Sequence, residues 1–313
     1  ISVAAHDPRP EKIERSVLDQ LTGNGFYEIM NNSLAKGTDY TTLQPEVSAS
    51  LIEMLNPLSL DLNVMRNNLL FGGLQSISFN QKRQQPNLRF FERGKTYGKG
   101  SNGYYENTQL DLFAAGSQGE DYWNAKSRPN DYFWMKGLLE SLFERLGLSV
   151  SSSTAQHSLY GEYVVLKSGK STLGFLGTVH PKVLKHFDIK GAVVHSSINW
   201  DQCKSLVLRR GASLFNNLPK FPSVRRDIAL LVDRSEQYQN LQDCISQVGK
   251  GLLINVFLFD VYEGDKLPED KKSYAIGMIF QDANKTLNDK AVDKTVQRIV
   301  DQLNKRTGAV LRQ

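Results

Sequence analysis

The runs VRRDIALLV at residues 224–232, INVFLFDVY at 254–262 and KSYAIGMIFQ at 272–281 decide the fold of the C-terminal part of this chain. Each run is rich in β-branched and aromatic residues and lies between turn-forming or charged residues, which is typical of β-strands. Apolar residues at helical spacing in residues 241–248 and 286–306 predict one helix after the first strand and another after the third.

A short strand at residues 309–312 closes this series, so the predicted order is strand, helix, strand, strand, helix, strand. That order is the ferredoxin-like βαββαβ pattern, which RNA-recognition domains share. We therefore expect residues 223–313 to form a small domain. Residues 212–222 contain two prolines and a pair of asparagines, and they predict the linker before it.

Residues 1–211 predict a separate α+β domain with a mainly antiparallel sheet, because helices and short strands occur without the regular spacing of βαβ units. The predicted helices are one that begins at Asp7 and Pro8, one over residues 64–83 and one over residues 132–146. The predicted strands lie at residues 88–97, 109–116, 163–166, 172–179 and 192–198.

The composition of the chain is that of a globular protein. It has 313 residues, of which 40% are hydrophobic and 23% charged, and its net charge is +5. The segment from residue 216 onward has 15 Lys and Arg against 13 Asp and Glu, so the charge is not concentrated there. No apolar run reaches the roughly 20 residues needed to cross a bilayer. Cys203 and Cys244 are too few for a disulfide framework, which favours a reducing cytoplasm.

Several motifs with known chemistry are incomplete. GKGSNG at residues 98–103 matches a dinucleotide-binding pattern, but a strand is predicted after it instead of a helix, so we interpret it as a turn between strands. GKT at 94–96 and GKS at 169–171 lack the first glycine of a phosphate loop. The five histidines have no metal-ligand spacing, and His180 is interpreted as a packed or turn residue. We predict no catalytic residue and no metal site.

The C-terminal domain carries the residues that we predict to contact nucleic acid. In the first strand the alternation of side chains places Arg225 on the open side of the sheet, and Arg226 near the helices, where pairing with a carboxylate is the alternative. The remaining predicted phosphate contacts are Lys271, Lys272, Lys285, Lys294 and Arg298. Lys294 and Arg298 lie on the predicted long helix. The alternative for them is a solvent-exposed helix face whose positive charges are balanced by aspartates. The aromatic residues that could stack on bases, or else fill the core, are Phe257, Phe259, Tyr262, Tyr274 and Phe280.

Four blocks of the C-terminal domain resemble a known family. FPSVRRDIA at 221–229, LFDVYEG at 258–264, KKS at 271–273 and KTL at 285–287 are similar to the ferredoxin-fold anticodon-binding domain that ends the β subunit of bacterial phenylalanyl-tRNA synthetase. The first domain resembles the synthetase-core-like module of the same subunit through NPLS at 56–59, VMR at 64–66, LLFGGL at 69–74, FERGK at 91–95 and LGTVHP at 176–181. Because the family's β subunit is much longer, we expect the chain to be a piece of a larger protein.

The resemblance implies a class II synthetase-like fold without catalytic activity in the first domain. Class II motif 2 places an arginine two residues before its glutamate, but here Phe90 precedes Glu92, and no glycine-rich motif 3 is present. The family also implies the α subunit and tRNA(Phe) as partners, with ATP and Mg required by the whole enzyme and no cofactor bound by this fragment. For the contact with the α subunit we predict an exposed apolar surface that contains Met65, Leu69, Leu70 and Leu74, with ordinary core packing as the alternative.

Two other functions stay open from the sequence. One is a stand-alone RNA-binding or scaffold protein with no ligase partner, and the other is an independently active class II ligase. Exchange of pyrophosphate into ATP would identify an active ligase, and binding to a synthetase α subunit would separate a β subunit from a scaffold.

Overall fold

The computed structural model describes residues 7–210, 217–264 and 267–312. The chain divides into two compact units, residues 1–213 and 214–313. Residues 212–216 of the predicted linker lie outside the described residues.

The first unit combines six helices and nine strands within its described residues. The helices are α1 (Arg9–Gly23), α2 (Gly37–Leu43), α3 (Leu70–Gln81), α4 (Tyr132–Arg145), α5 (Pro181–His186) and α6 (Trp200–Arg210). The strands are β1 (Tyr27–Glu28), β2 (Leu34–Ala35), β3 (Val64–Met65), β4 (Leu88–Gly100), β5 (Gly103–Ala115), β6 (Ser151–Thr154), β7 (Tyr160–Ser168), β8 (Ser171–Val179) and β9 (Val193–Asn199). Single 3₁₀ turns cover Pro45–Ser50 and Leu60–Leu62.

A seven-stranded sheet in the order β1-β4-β5-β9-β8-β7-β6 forms the centre of this unit. Its pairs are antiparallel except for the short β1, which is parallel to β4. The α+β fold with a mainly antiparallel sheet is therefore confirmed. The interpretation of residues 98–103 as a turn is also confirmed, because Gly100 of β4 pairs with Gly103 of β5 and Gly103 has a φ of +101°, which glycine adopts without strain.

Helices cover both faces of the sheet. Each strand contributes to both faces, because its successive side chains point to opposite sides. On one face, Phe91, Leu110 and Leu112 pack with buried residues of α1, α4 and α6. On the other face, Phe90 and Phe113 pack with α2, α3 and α5. The predicted helix at 132–146 is confirmed as α4, which begins after Asp131, whose carboxylate accepts a hydrogen bond from the amide of Trp134 at 2.8 Å.

The predicted helix over residues 64–83 is wrong in its first half. Val64 and Met65 form β3, and α3 begins only at Leu70. Apolar residues follow one another here because the segment is surrounded by the unit's own core. Leu69, Leu70 and Leu74 are each 1% exposed or less, so the prediction that they form an exposed apolar surface is wrong. A contact of the half-buried Met65 with a partner chain stays a prediction.

The second unit has the predicted order of elements. They are β10 (Val224–Asp233), α7 (Tyr238–Val248), β11 (Leu253–Tyr262), β12 (Lys271–Phe280), α8 (Asp289–Thr307) and β13 (Val310–Leu311). The strands form an antiparallel sheet in the order β11-β12-β10-β13, and the core lies between one face of this sheet and the two helices.

In neither unit do the described residues contain a helix with the length and hydrophobicity needed to span a membrane.

Candidate nucleic-acid interface

The sheet of the second unit has one covered face and one face without helices, called here the open side. Ile228, Leu230 and Ile276 belong to the core beneath α7 and α8. Their neighbours in the register, such as Arg225 opposite Ile279 and Asp227 opposite Gly277, therefore point to the open side. The predicted division of the first strand into a helix side and an open side is thus correct.

A row of aromatic side chains on β11 borders the open side. Phe257 lies opposite Gly277, and a Cβ atom added to this glycine would come within 2.5 Å of the Phe257 ring. The ring therefore lies close against the backbone of β12 at Gly277. A bulge in β11 inserts Phe259 beside it, with ring centroids 6.3 Å apart, and Phe259 is 50% exposed. Three of the five predicted aromatics, Phe257, Phe259 and Tyr262, are at least partly accessible, whereas Tyr274 and Phe280 are buried in the core.

Two arginines lie against these rings. The guanidinium carbon of Arg225 is 5.1 Å from the ring centroid of Phe257 and 5.5 Å from that of Phe259. Its Nε donates to Asp227 Oδ1 at 2.8 Å, and this hydrogen bond raises the pKa of the Arg225 guanidinium. Cation–π contacts and a carboxylate thus fix the orientation of a side chain that is still exposed.

The second arginine, Arg312, follows the opposite edge strand β13 and was missed from the sequence. Its amide donates to the carbonyl of Ala229, while its guanidinium carbon is 4.9 Å from the ring centroid of Tyr262 on β11. The side chain therefore crosses the middle strands. It can do so because the residues there, Ala229 and Ala275, are small. Its position at the end of the predicted strand at residues 309–312 was the signal in the sequence.

The other predicted cations do not gather on the open side. Lys272 lies on the helix side of β12 and is 9% exposed, with its ammonium nitrogen 4.8 Å from the Tyr274 ring centroid. The predicted contact of Lys272 with phosphate is therefore not supported by its position, since it lies within β12 (Lys271–Phe280) and opposite the core residue Val232. Lys271 pairs with Asp233 at 2.5 Å, and this contact raises the pKa of the lysine.

The cations near the helices have separate positions. Arg226 forms ion pairs with Asp289 at 2.6 Å and with Asp293 at 2.9 Å, both on α8. These pairs agree with the alternative prediction that Arg226 pairs with a carboxylate. Lys285 is exposed in the loop before α8. Lys294 and Arg298 are exposed on α8, in the layer across the sheet from the open side. The structure therefore places only Arg225, of the seven predicted cations, beside the accessible aromatic rings.

In the first unit, the positions compared with class II motifs are part of the packed core. Phe90 is 7% exposed and belongs to the core beside α3. Glu92, on the same face of β4, forms a 2.6 Å ion pair with Arg66. Among the described residues, no group of three or more His, Cys, Asp or Glu side chains could hold a metal ion.

The first unit does expose apolar side chains, but on a different segment from the predicted one. The loop between the 3₁₀ turn at 45–50 and β3, called here the 54–60 loop, presents Met54, Leu55, Leu58 and Leu60 with exposures of 38%, 97%, 99% and 82%. It contains the NPLS block at 56–59. Four large apolar side chains within seven residues are therefore accessible to solvent, and exposed apolar groups that lie together mark interaction sites.

Comparisons with known proteins match both units. The family model described as phenylalanyl tRNA synthetase beta chain CLM domain matches residues 2–200, and the ferredoxin-fold anticodon binding domain matches residues 219–312. The phenylalanine–tRNA ligase beta subunit of Bacteroides fragilis is 36% identical over 317 residues, which cover 97% of this chain. The corresponding subunit of Bacteroides thetaiotaomicron is 37% identical over 321 residues, covering 98%. The chain spans 38% and 39% of the length of these two relatives.

Among solved structures, the pyrrolysyl-tRNA synthetase from Desulfitobacterium hafniense is similar in fold. The match has a TM-score of 0.51 and 15% sequence identity, and it covers 64% of this chain and 69% of the synthetase chain. At this identity the match concerns the fold alone.

Proposed function

This chain belongs to the family of phenylalanine–tRNA ligase β subunits, and from this membership we propose that it acts as the C-terminal, non-catalytic part of such a subunit. In this role the second unit binds the anticodon region of tRNA(Phe), and the first unit docks on the α subunit. The whole enzyme, in the cytoplasm, uses ATP and Mg to aminoacylate the tRNA. A stand-alone RNA-binding or scaffold protein is the alternative.

The observation that carries the RNA-binding part is the accessible aromatic row with its arginines on the open side. Unpaired bases of an RNA loop stack on aromatic rings and on guanidinium planes, and every base offers such a face. Phe259 is half exposed and Arg225 is oriented beside it, so the pair offers adjacent stacking and phosphate contacts. Asp227 reduces the net positive charge of the open side. This favours recognition of bases over binding of backbone phosphates.

The 54–60 loop supports the docking part, because its exposed leucines have no cover within the described residues of the first unit. We expect Leu55→Asp combined with Leu58→Asp to weaken binding of a phenylalanine–tRNA ligase α subunit by at least tenfold, since each change places a charge in an apolar contact. Titration of the α subunit by calorimetry measures this affinity. Leu218→Asp, at an 84% exposed leucine of the second unit, is the matched control. Undiminished binding by a folded double variant would contradict this docking surface, and failure of the unchanged chain to bind any α subunit would favour the scaffold alternative.

For catalysis, we expect the isolated chain to form no phenylalanyl-adenylate. Adenylation needs a cation to neutralise the triphosphate in the transition state, and the position two residues before Glu92 carries the buried Phe90 instead. Exchange of labelled pyrophosphate into ATP, with phenylalanine present, measures the reaction. Exchange above background from the pure chain would identify it as an active ligase.

A further inference from the structure

A second site lies in the first unit, in a cavity of about 210 Å³ on the α3 side of the large sheet. Polar groups of the central strands β5 and β9 form its floor, and aromatic residues of β7, β8 and the loop before β7 stand beside them. Its walls include Asn67, Leu70, Thr96, Asp111, Tyr160 and Phe175. The proposed role in tRNA aminoacylation uses none of these side chains.

Four of the lining residues form a continuous chain of hydrogen bonds. Ser197 Oγ donates to Asp111 Oδ1 at 2.5 Å, and His195 Nε2 lies 2.9 Å from Asp111 Oδ2. The Tyr160 hydroxyl is 2.7 Å from His195 Nδ1. Asp111 and His195 are each 1% exposed. Polar groups buried this deeply hold one another in fixed positions, and here they do so at the wall of a cavity.

Asp111 has no lysine or arginine partner among the described residues of this cavity. Burial, together with the negative charge of Asp111, raises the pKa of Tyr160 well above its usual value, so the phenol keeps its proton. The imidazole of His195 bridges Tyr160 and Asp111 through its two ring nitrogens. Among the described residues that line the cavity, none is a lysine or arginine, and Asp111 is the one carboxylate. A carboxylate buried at 1% exposure is costly to ionise, and a cation bound beside it in the cavity stabilises its charge.

We propose that this cavity binds a small organic cation, an amine with a compact apolar body, with Asp111 as its counter-ion. The ammonium group donates to Asp111 and to neighbouring oxygens such as that of Ser197. The rings of Tyr160 and Phe175, whose centroids are 5.2 Å apart, provide the apolar wall and negative π faces. Phosphates and carboxylates are disfavoured because Asp111 repels them and no lysine or arginine of the described residues lines the cavity.

The first experiment uses the unchanged chain and three probes of nearly equal shape. Benzylamine, benzyl alcohol and benzoate are titrated by calorimetry and by ligand-observed NMR, and methylamine and butylamine test the size of the apolar body. We expect saturable binding of at least one amine, with the alcohol at least tenfold weaker and the benzoate not bound. Equal binding of amine and alcohol, or no saturable binding of any amine, would overturn the proposal.

The second experiment tests the counter-ion. Asp111→Asn keeps the shape of the side chain but removes its charge, so amine affinity is expected to fall at least tenfold. Asp19→Asn makes the same change at an exposed position of α1 and should leave the affinity unchanged. Thermal unfolding checks that each variant is folded, and the probe series on the unchanged chain decides the question if Asp111→Asn is not. Undiminished amine binding by folded Asp111→Asn rules out this carboxylate as the counter-ion.

Discussion

Replacing Arg66 by alanine is expected to lower the free energy of unfolding of the first unit by about 3–5 kcal/mol, the usual effect of breaking a buried ion pair. Arg66 Nη1 lies 2.6 Å from Glu92 Oε1, and both side chains are less than 10% exposed. Arg66 also donates to the carbonyls of Lys95 and Asn31. Within the described residues, the variant leaves the Glu92 carboxylate buried with hydrogen bonds from Asn31 alone.

Chemical denaturation followed by tryptophan fluorescence measures this effect on the first unit alone, because all three tryptophans, Trp123, Trp134 and Trp200, lie in it. Lys36→Ala is the control, since it removes an exposed ion pair with Asp61, and we expect no measurable change from it. An unfolding midpoint for Arg66→Ala that matches the unchanged chain would show that the pair contributes nothing.

Phe259→Ala is expected to weaken tRNA binding by about 1–3 kcal/mol, the range found when one stacked base loses its aromatic partner, or about 5- to 150-fold in affinity. The ring is half exposed on the open side and contributes little to the core, so the fold should be kept. Removing Arg225 and Arg312 together should also flatten the log–log dependence of affinity on salt by about one to two units, since each phosphate contact contributes roughly 0.7–0.9.

Filter binding of tRNA(Phe) at several salt concentrations measures both quantities. The matched control is Lys290→Ala with Lys294→Ala, which removes two exposed cations from α8, across the sheet from the open side. If this control changes affinity and salt dependence while the open-side variants do not, the RNA surface lies on the helix side, and Lys294 and Arg298 become the contacts. Lys272→Ala is not a suitable phosphate-contact variant, because its side chain is buried against Tyr274.

The sequence by itself determined the order of the elements in the second unit and the side of the sheet to which each residue of β10 points. Both follow from local periodicity. Side chains alternate between the two faces of a strand, and apolar residues recur every three or four positions along a helix, so both patterns depend only on nearby residues. The turn at residues 98–103 was predictable for the same reason. The position of Arg225 on the open side follows from this alternation and needed no tertiary information.

Only the tertiary structure decided what covers each face and which distant side chains meet. The sequence suggests a docking surface at Leu69, Leu70 and Leu74, yet these side chains are buried because other elements of the unit pack over them. The apolar side chains of the 54–60 loop are exposed instead. Arg312 reaches Tyr262 across two strands where the paired residues Ala229 and Ala275 are small, and Asp111 meets His195 from 84 positions away. Local patterns give the direction of a side chain relative to its own backbone. Burial and pairing depend on chain segments brought together only by folding.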